Sequence, residues 1–161
     1  MHTMTLCLPL PVSLNKAYAN KTKKGGRVKT VEAKDWYARA RHFAAPFIKD
    51  YRQICDHNVL ARRNYMTSRC QLGGRPGMRL AALKADYPDV AYAVTYTFHF
   101  PDDGIRDVFN FEKLLTDLLV ECGFLLDDNF IVDGRVRWGK LAPSNPHVHI
   151  EIISLDRAEV I

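Results

Sequence analysis

The stretch 99–136, HFPDDGIRDVFNFEKLLTDLLVECGFLLDDNFIVDGRV, decides the fold. Pro101 ends a strand because it has no backbone donor, and Asp102-Asp103-Gly104 carries turn chemistry. Asp107 then stands before a helical pattern in which Val108, Phe111, Leu115, Leu118 and Cys122 form one apolar stripe, broadened by Leu114 and Leu119. Gly123 stops that helix. After Phe124-Leu125-Leu126 comes the turn Asp127-Asp128-Asn129, and residues 130–138 read as the next strand.

Working outward, residues 91–100 (AYAVTYTFHF) give the clearest strand, with Val94, Tyr96, Phe98 and Phe100 on one side and Thr95, Thr97 and His99 on the other. His99 reads as a strand-face residue rather than a ligand. Residues 147–153 alternate as cleanly, placing Val148, Ile150 and Ile152 together. Residues 5–10 form a short strand ending at Pro9 and Pro11, followed by a basic loop from Lys16 to Lys29 (KAYANKTKKGGRVK) with six Lys or Arg. Thr30 caps a helix running to about Tyr51, whose apolar stripe is Trp36, Ala40, Phe43, Phe47 and Tyr51, with a kink or break expected at Pro46. Residues 52–90 hold Gly73-Gly74, Pro76, Gly77, Pro88 and several arginines with little periodicity, and read as a helix to about Cys70 followed by a loop.

A chain of 161 residues with 47% apolar content supports one domain and one core. No run approaches the roughly 20 apolar residues of a membrane span, and the start does not read as a signal peptide, so a cytoplasmic protein is expected. Cys7, Cys55, Cys70 and Cys122 have neither zinc-knuckle nor disulfide-framework spacing and read as ordinary thiols; Cys55 and Cys70 with His57 hold a metal only on the argument of proximity.

Charge is unevenly placed. Residues 101–133 contain nine acids and two bases, a balance of −7, so the remainder carries +12 of the net +5. Such segregation suits a cation-binding centre inside a phosphate-binding surface, although a solvated acidic helix gives the same arithmetic. Paired carboxylates near a helix start hold Mg²⁺ well, because that ion prefers hard oxygens and retains waters. A metal there activates water against a phosphodiester, and Lys113 beside it neutralises charge on the phosphorus oxygens. From the residues alone two readings stand for each acid: Asp107 as ligand or helix cap, Asp127-Asp128 as ligands or turn. A helix of about 15 residues spans about 22 Å, so Asp128 meets Asp107 only if the chain returns antiparallel or a second subunit supplies it.

The same stretch, 99–136, resembles the central part of the RusA family of Holliday junction resolvases: a strand ending in proline, a basic turn, Arg-Asp-x-Asp-Asn-x-x-Lys opening a helix, Gly-Phe at its end, then Asp-Asp and Val-Asp. The opening LPLPVSLNKAY is similar to the family's Leu-Pro-x-Pro-x-Ser-x-Asn-Arg-x-Tyr. The resemblance covers roughly 5–50 and 92–155 and leaves 52–90 as an insertion or mobile segment. It implies an α+β fold, a single domain over 1–161 with a mixed β-sheet packed by helices, and a homodimer, as the two-fold symmetry of a four-way junction also suggests.

Carried over residue by residue, the resemblance implies Asp107, Asp128 and Lys113 as catalytic, with Asp107, Asp128, Asp127 and Glu112 as the pool of Mg²⁺ (or Mn²⁺) ligands. It places Ser13, Asn15 and Lys16 near branched DNA. The basic loop (Lys16, Lys21, Lys23, Lys24, Arg27) with Arg106 and Asn110 would grip the backbone. Phe109 departs from the pattern, standing where the family has its second aspartate, and Gly104-Ile105-Arg106 replaces a run of arginines. Either water completes the metal's shell, or Glu112 or Asp103 substitutes, or the chain binds junctions without cutting. Outside this family, a small metal-dependent phosphoesterase acting on nucleotides and an acidic-pocket interaction module are the rival expectations.

Overall fold

In the computed structural model, which describes residues 2–20, 27–67 and 83–156, the alternating segments assemble as the pattern of side chains requires. Four strands, β1 (His2–Pro9), β4 (Val90–His99), β5 (Ile131–Trp138) and β6 (His147–Asp156), form one sheet in the order β1-β6-β4-β5. β6 lies antiparallel to both β1 and β4, whereas β5 is parallel to β4. The sheet is therefore mixed, and the domain is α+β.

Register explains which face is covered. Leu6 pairs with Ile150, which pairs with Tyr96, and all three are buried. Met4, Leu8, Val94, Phe98, Val148 and Ile152 extend these rows, so one sheet face is apolar along its length. On the opposite face the aligned rows are Thr5, Glu151, Thr95 and Cys7, His149, Thr97, and their side chains reach solvent in whole or part. His99, also on that face, stacks on His147 with ring centroids 4.4 Å apart.

Helices α2 (Val31–Asp50), α3 (Arg52–Thr67) and α4 (Phe109–Glu121) contribute the other half of the core. Trp36 is fully buried, its indole N–H donating to the Pro9 carbonyl at 3.1 Å. The Tyr37 hydroxyl donates to Leu114 O, tying α2 to α4. Asn58, on α3, is buried and donates to Gly123 O at 2.8 Å, so the first part of the arginine-rich middle is packed in the fold. A parallel β4–β5 pair needs a crossover, and α4 is that return. It carries the chain from the end of β4 to a short 3-10 turn (Asp128–Phe130) at the entrance of β5.

Several expectations change in detail. The buried stripe of α2 is Ala33, Trp36, Tyr37, Ala40 and Ala44; Phe43 is 54% exposed because the helix turns small alanines to its tightly packed side. Thr30 caps α2 as expected, accepting from the Ala33 N–H. Pro46 does not break the helix, since both Pro46 and His42, whose carbonyl loses its donor, lie on the exposed side. The amino-terminal basic loop contains a turn of helix, α1 (Leu14–Ala17), and a hairpin of β2 (Tyr18–Asn20) with β3 (Arg27–Lys29). Lys21, Lys23 and Lys24 lie outside the described residues, as do Cys70, Arg69, Arg75 and Arg79. No helix among the described residues is long and apolar enough to cross a membrane.

Gly123 ends α4 with φ +83°, and a Cβ there would sit 2.4 Å from the Cys55 carbonyl oxygen on α3. Both the conformation and the close approach demand glycine. Gly123→Ala is expected to lower unfolding free energy by on the order of 1–3 kcal/mol or more, read by denaturant titration, whereas an unchanged midpoint would show that α3 does not pack on this turn.

Candidate functional site

The site begins with the end of the crossover. Lys113, in the second turn of α4, extends its side chain toward the entrance of β5, where its ammonium lies 3.0 Å from Asp128 Oδ2. The same ammonium lies 2.8 Å from Asp117 Oδ1, one helical turn on. Asp128 Oδ1 accepts from the Asn129 side-chain amide, which also donates to Asp127 Oδ1 at 2.7 Å. Lys113, Asp117, Asp127 and Asp128 are thus one connected group. Beside it is a cavity of about 160 Å³ lined by Arg62, Asp117, Val120, Glu121, Asp127 and Asp128.

Electrostatics favour the charged forms of Lys113 and Asp128. Partial burial works against the Lys113 ammonium, but hydrogen bonds and charge from Asp117 and Asp128 outweigh it and raise its pKa. For Asp128, burial opposes the carboxylate, yet the Lys113 and Asp127 hydrogen bonds and the Lys113 charge hold its pKa below the ordinary value of 3.8. The amino-terminal segment lies close by: burial of the Tyr18 hydroxyl, followed by the charge of Asp117, raises its pKa.

Asp107 is placed differently. Its Oδ1 accepts from the Phe109 N–H at 3.1 Å and its Oδ2 from the Asn110 side-chain amide at 2.9 Å, so it caps α4. The two carboxylates expected to share an ion belong to two hydrogen-bonded groups, one at the helix start and one at the β5 entrance. Six residues of helical rise, about 9 Å, separate Asp107 from Lys113 along the chain. Glu112 is turned to Thr116, whose hydroxyl donates to it and also contacts the buried Tyr96 hydroxyl. Phe109 is 69% exposed.

The DNA-facing residues divide likewise. Asn15, Lys16 and Arg27 are exposed. Arg106 is half-buried, stacked over the Phe100 ring and paired with Asp102 at 2.6 Å, so a phosphate must compete with that carboxylate. Lys29 lies 3.5 Å above the Tyr37 ring and 3.6 Å from Glu121, which also binds Arg41. Cys55 and Cys122 are thiols whose pKa burial pushes up to about 11, which keeps them protonated at neutral pH.

Among the described residues no group of three or more His, Cys, Asp or Glu side chains is arranged to hold a metal ion. Two functional candidates escaped the reading of the sequence. Asp117 was legible in principle, since Lys113 and Asp117 have the i, i+4 spacing of a helical ion pair. Arg62 comes from a distant segment, with nothing in its local sequence to point at the cavity. No protein-family model and no curated protein matches the chain.

The pair makes a pH prediction with a definite sign. Asp128 has a depressed folded pKa, so its contribution to stability is full above about 3.8 and fades as pH falls through the lower folded value; Lys113 has a raised one, so its contribution holds below about 10.5 and fades only at higher pH. Carboxyl-carbon NMR should show Asp128 titrating below 3.8 in the wild type and moving upward in Lys113→Met. An Asp128 titration that Lys113→Met leaves unmoved would show that the ion pair does not form in solution.

Proposed function

We propose that this chain is a structure-selective DNA endonuclease that resolves four-way junctions by metal-dependent paired nicking, acting as a homodimer on branched DNA. The observation that carries the reading is the Lys113 ammonium held 3.0 Å from Asp128 across the crossover, joining the two halves of the RusA-like stretch. An ammonium kept charged beside carboxylates suits a site where negative charge grows on phosphorus oxygens.

The donor chemistry fits a hard cation. Asp107, Asp127 and Asp128 offer only oxygen, and Mg²⁺ is commonly held by one or two carboxylates with water filling the remaining positions. Asp127 and Asp128 would hold the ion, with Asp107 approaching from the helix start. When bound, Mg²⁺ or Mn²⁺ would supply an activated water and a counter-charge for the leaving oxygen. Lys113 would contact a non-bridging phosphate oxygen, exchanging part of its bond with Asp128 for it. Asn110 would fix the orientation of Asp107, to which it already donates. Asn15, Lys16 and Arg27, with Lys21, Lys23 and Lys24 in the same segment, would track the backbone, so that shape rather than base sequence selects the junction.

Two observations favour a second reading. Phe109 presents an exposed ring where the family has a carboxylate, and Asp107 is engaged as a helix cap, which together suit a protein that binds junctions without cutting them. Incubating the protein with a mobile four-way junction and Mg²⁺ or Mn²⁺ separates the two. The nuclease reading expects symmetric nicks, abolished by chelator, reduced by about 10²-fold or more in Asp107→Asn and Lys113→Ala, and increased in Phe109→Asp. Wild type that binds junctions in chelator and never nicks, while Phe109→Asp does, establishes the binding protein. Junction affinity nearly independent of salt concentration would contradict both.

A further inference from the structure

We infer that Arg62 is a phosphate-binding residue, whose guanidinium takes the oxygens of a phosphate group at the cavity beside Lys113 and Asp128. For the source of that phosphate, a DNA backbone, the inference rests on the function proposed above; for its chemistry it rests on the cavity alone.

Packing brings Arg62 to this place. The Cys55 carbonyl oxygen lies against Gly123, just past the end of α4, so closely that a Cβ there would be 2.4 Å away. Asn58, further along α3, is buried and donates to Gly123 O at 2.8 Å. Arg62 follows Asn58 by four residues, so both lie on one face of α3. As α3 advances, its contacts step back along α4, and Arg62 shares a cavity of about 160 Å³ with Asp117, Val120 and Glu121. Asp127 and Asp128, at the entrance of β5, complete the wall. Since residues 52–90 lie outside the RusA resemblance, no motif of that family assigns Arg62 a role.

Every carboxylate on the wall already has a partner. Asp117 and Asp128 share the Lys113 ammonium, Asp127 accepts from the Asn129 amide, and Glu121 holds both Lys29 and Arg41. Arg62 differs from all of them: it is half-buried, and it forms no ion pair or hydrogen bond among the described residues. What the wall leaves open is thus a planar fork of N–H donors rather than an acceptor. A guanidinium matches phosphate oxygens two at a time, and it gives up water more readily than an ammonium does.

Local charge does not oppose an anion at this point. The four carboxylates of the wall are matched by four cations, Lys113, Lys29, Arg41 and Arg62. The first three are engaged with those carboxylates, whereas Arg62 keeps its donors for a ligand. It therefore offers a phosphate a directional contact, and the exposed bases of the amino-terminal segment offer a diffuse one.

The test reads Arg62 without any nicking, in chelator and with the full chain. The Nε–H resonance of Arg62, assigned by its loss in Arg62→Lys, should shift saturably as inorganic phosphate replaces chloride at constant ionic strength, and should shift with a four-way junction at far lower concentration. Arg62→Ala should bind the junction about tenfold more weakly. Its log affinity should also fall less steeply with log salt, by about one for each Arg62 engaged. Arg62→Lys should keep the slope of wild type and lose part of the affinity, because it retains the charge without the fork. Arg39→Ala, which removes an exposed charge from α2, should keep the wild-type slope. A merely structural arginine would move the denaturation midpoint and leave the slope alone. An Arg62 resonance that neither phosphate nor junction moves overturns the inference, and so does Arg62→Ala with the affinity and slope of wild type. If Arg62→Ala fails to fold, the wild-type resonance decides. Should Arg62 answer to phosphate in a protein that binds no junction, the phosphate site stands and the DNA reading falls; junction binding indifferent to Arg62 has the opposite meaning.

Discussion

A lysine ammonium held between two carboxylates from different parts of the chain is the interaction on which the candidate site depends. Lys113 and Asp117 belong to α4, and Asp128 to the turn that admits the chain to β5. Their meeting follows from the parallel pairing of β4 and β5, since parallel neighbours force the intervening helix to run back along the sheet and deliver the next strand's entrance beside it. Nearly half of each side chain in the Lys113–Asp128 pair is in solvent, so it adds little to stability. Its consequence is positional: a cation is fixed against two carboxylates that line an acidic cavity.

Around that point the chain separates its charges by topology. The acids of the crossover gather on α4 and the β5 entrance, while bases come from the amino-terminal hairpin and from α2. Glu121 draws Lys29 and Arg41 to the end of α4, so the basic segment is docked against the acidic one. That juxtaposition was implicit in the lopsided charge count along the sequence, but only the fold shows which acids and bases adjoin.

The strands and the crossover helix were legible because burial on one face writes a period into the sequence. Val94, Tyr96 and Phe98 alternate, Leu114, Leu115 and Leu118 recur at helical steps, and both sets are buried as their spacing requires. The face of α2 was less legible, because close helix packing selected Ala44 over the larger Phe43, which hydrophobicity alone would have turned inward. Local site features were readable where the chemistry is local: the cap at Thr30, the stop at Gly123, the turn at Asp127-Asp128-Asn129. Contacts across the crossover were not, because the reach of Lys113 to Asp128 depends on sheet order and on which strands run parallel. Asp107 shows the limit of motif reading, since a helix-capping aspartate and a metal-ligating one occupy the same position in the sequence.

Whether one ion can draw Asp107 and Asp128 together is the central question, and Mn²⁺ answers it directly because its unpaired electrons broaden nearby nuclei steeply with distance. With the carboxyl carbons resolved by NMR, substoichiometric Mn²⁺ is predicted to broaden Asp107 and Asp128 together, and both should recover when Mg²⁺ is added in excess. Broadening confined to Asp127 and Asp128, with Asp107 unaffected in both the free protein and its junction complex, would contradict a shared metal and leave Asp107 as a helix cap alone.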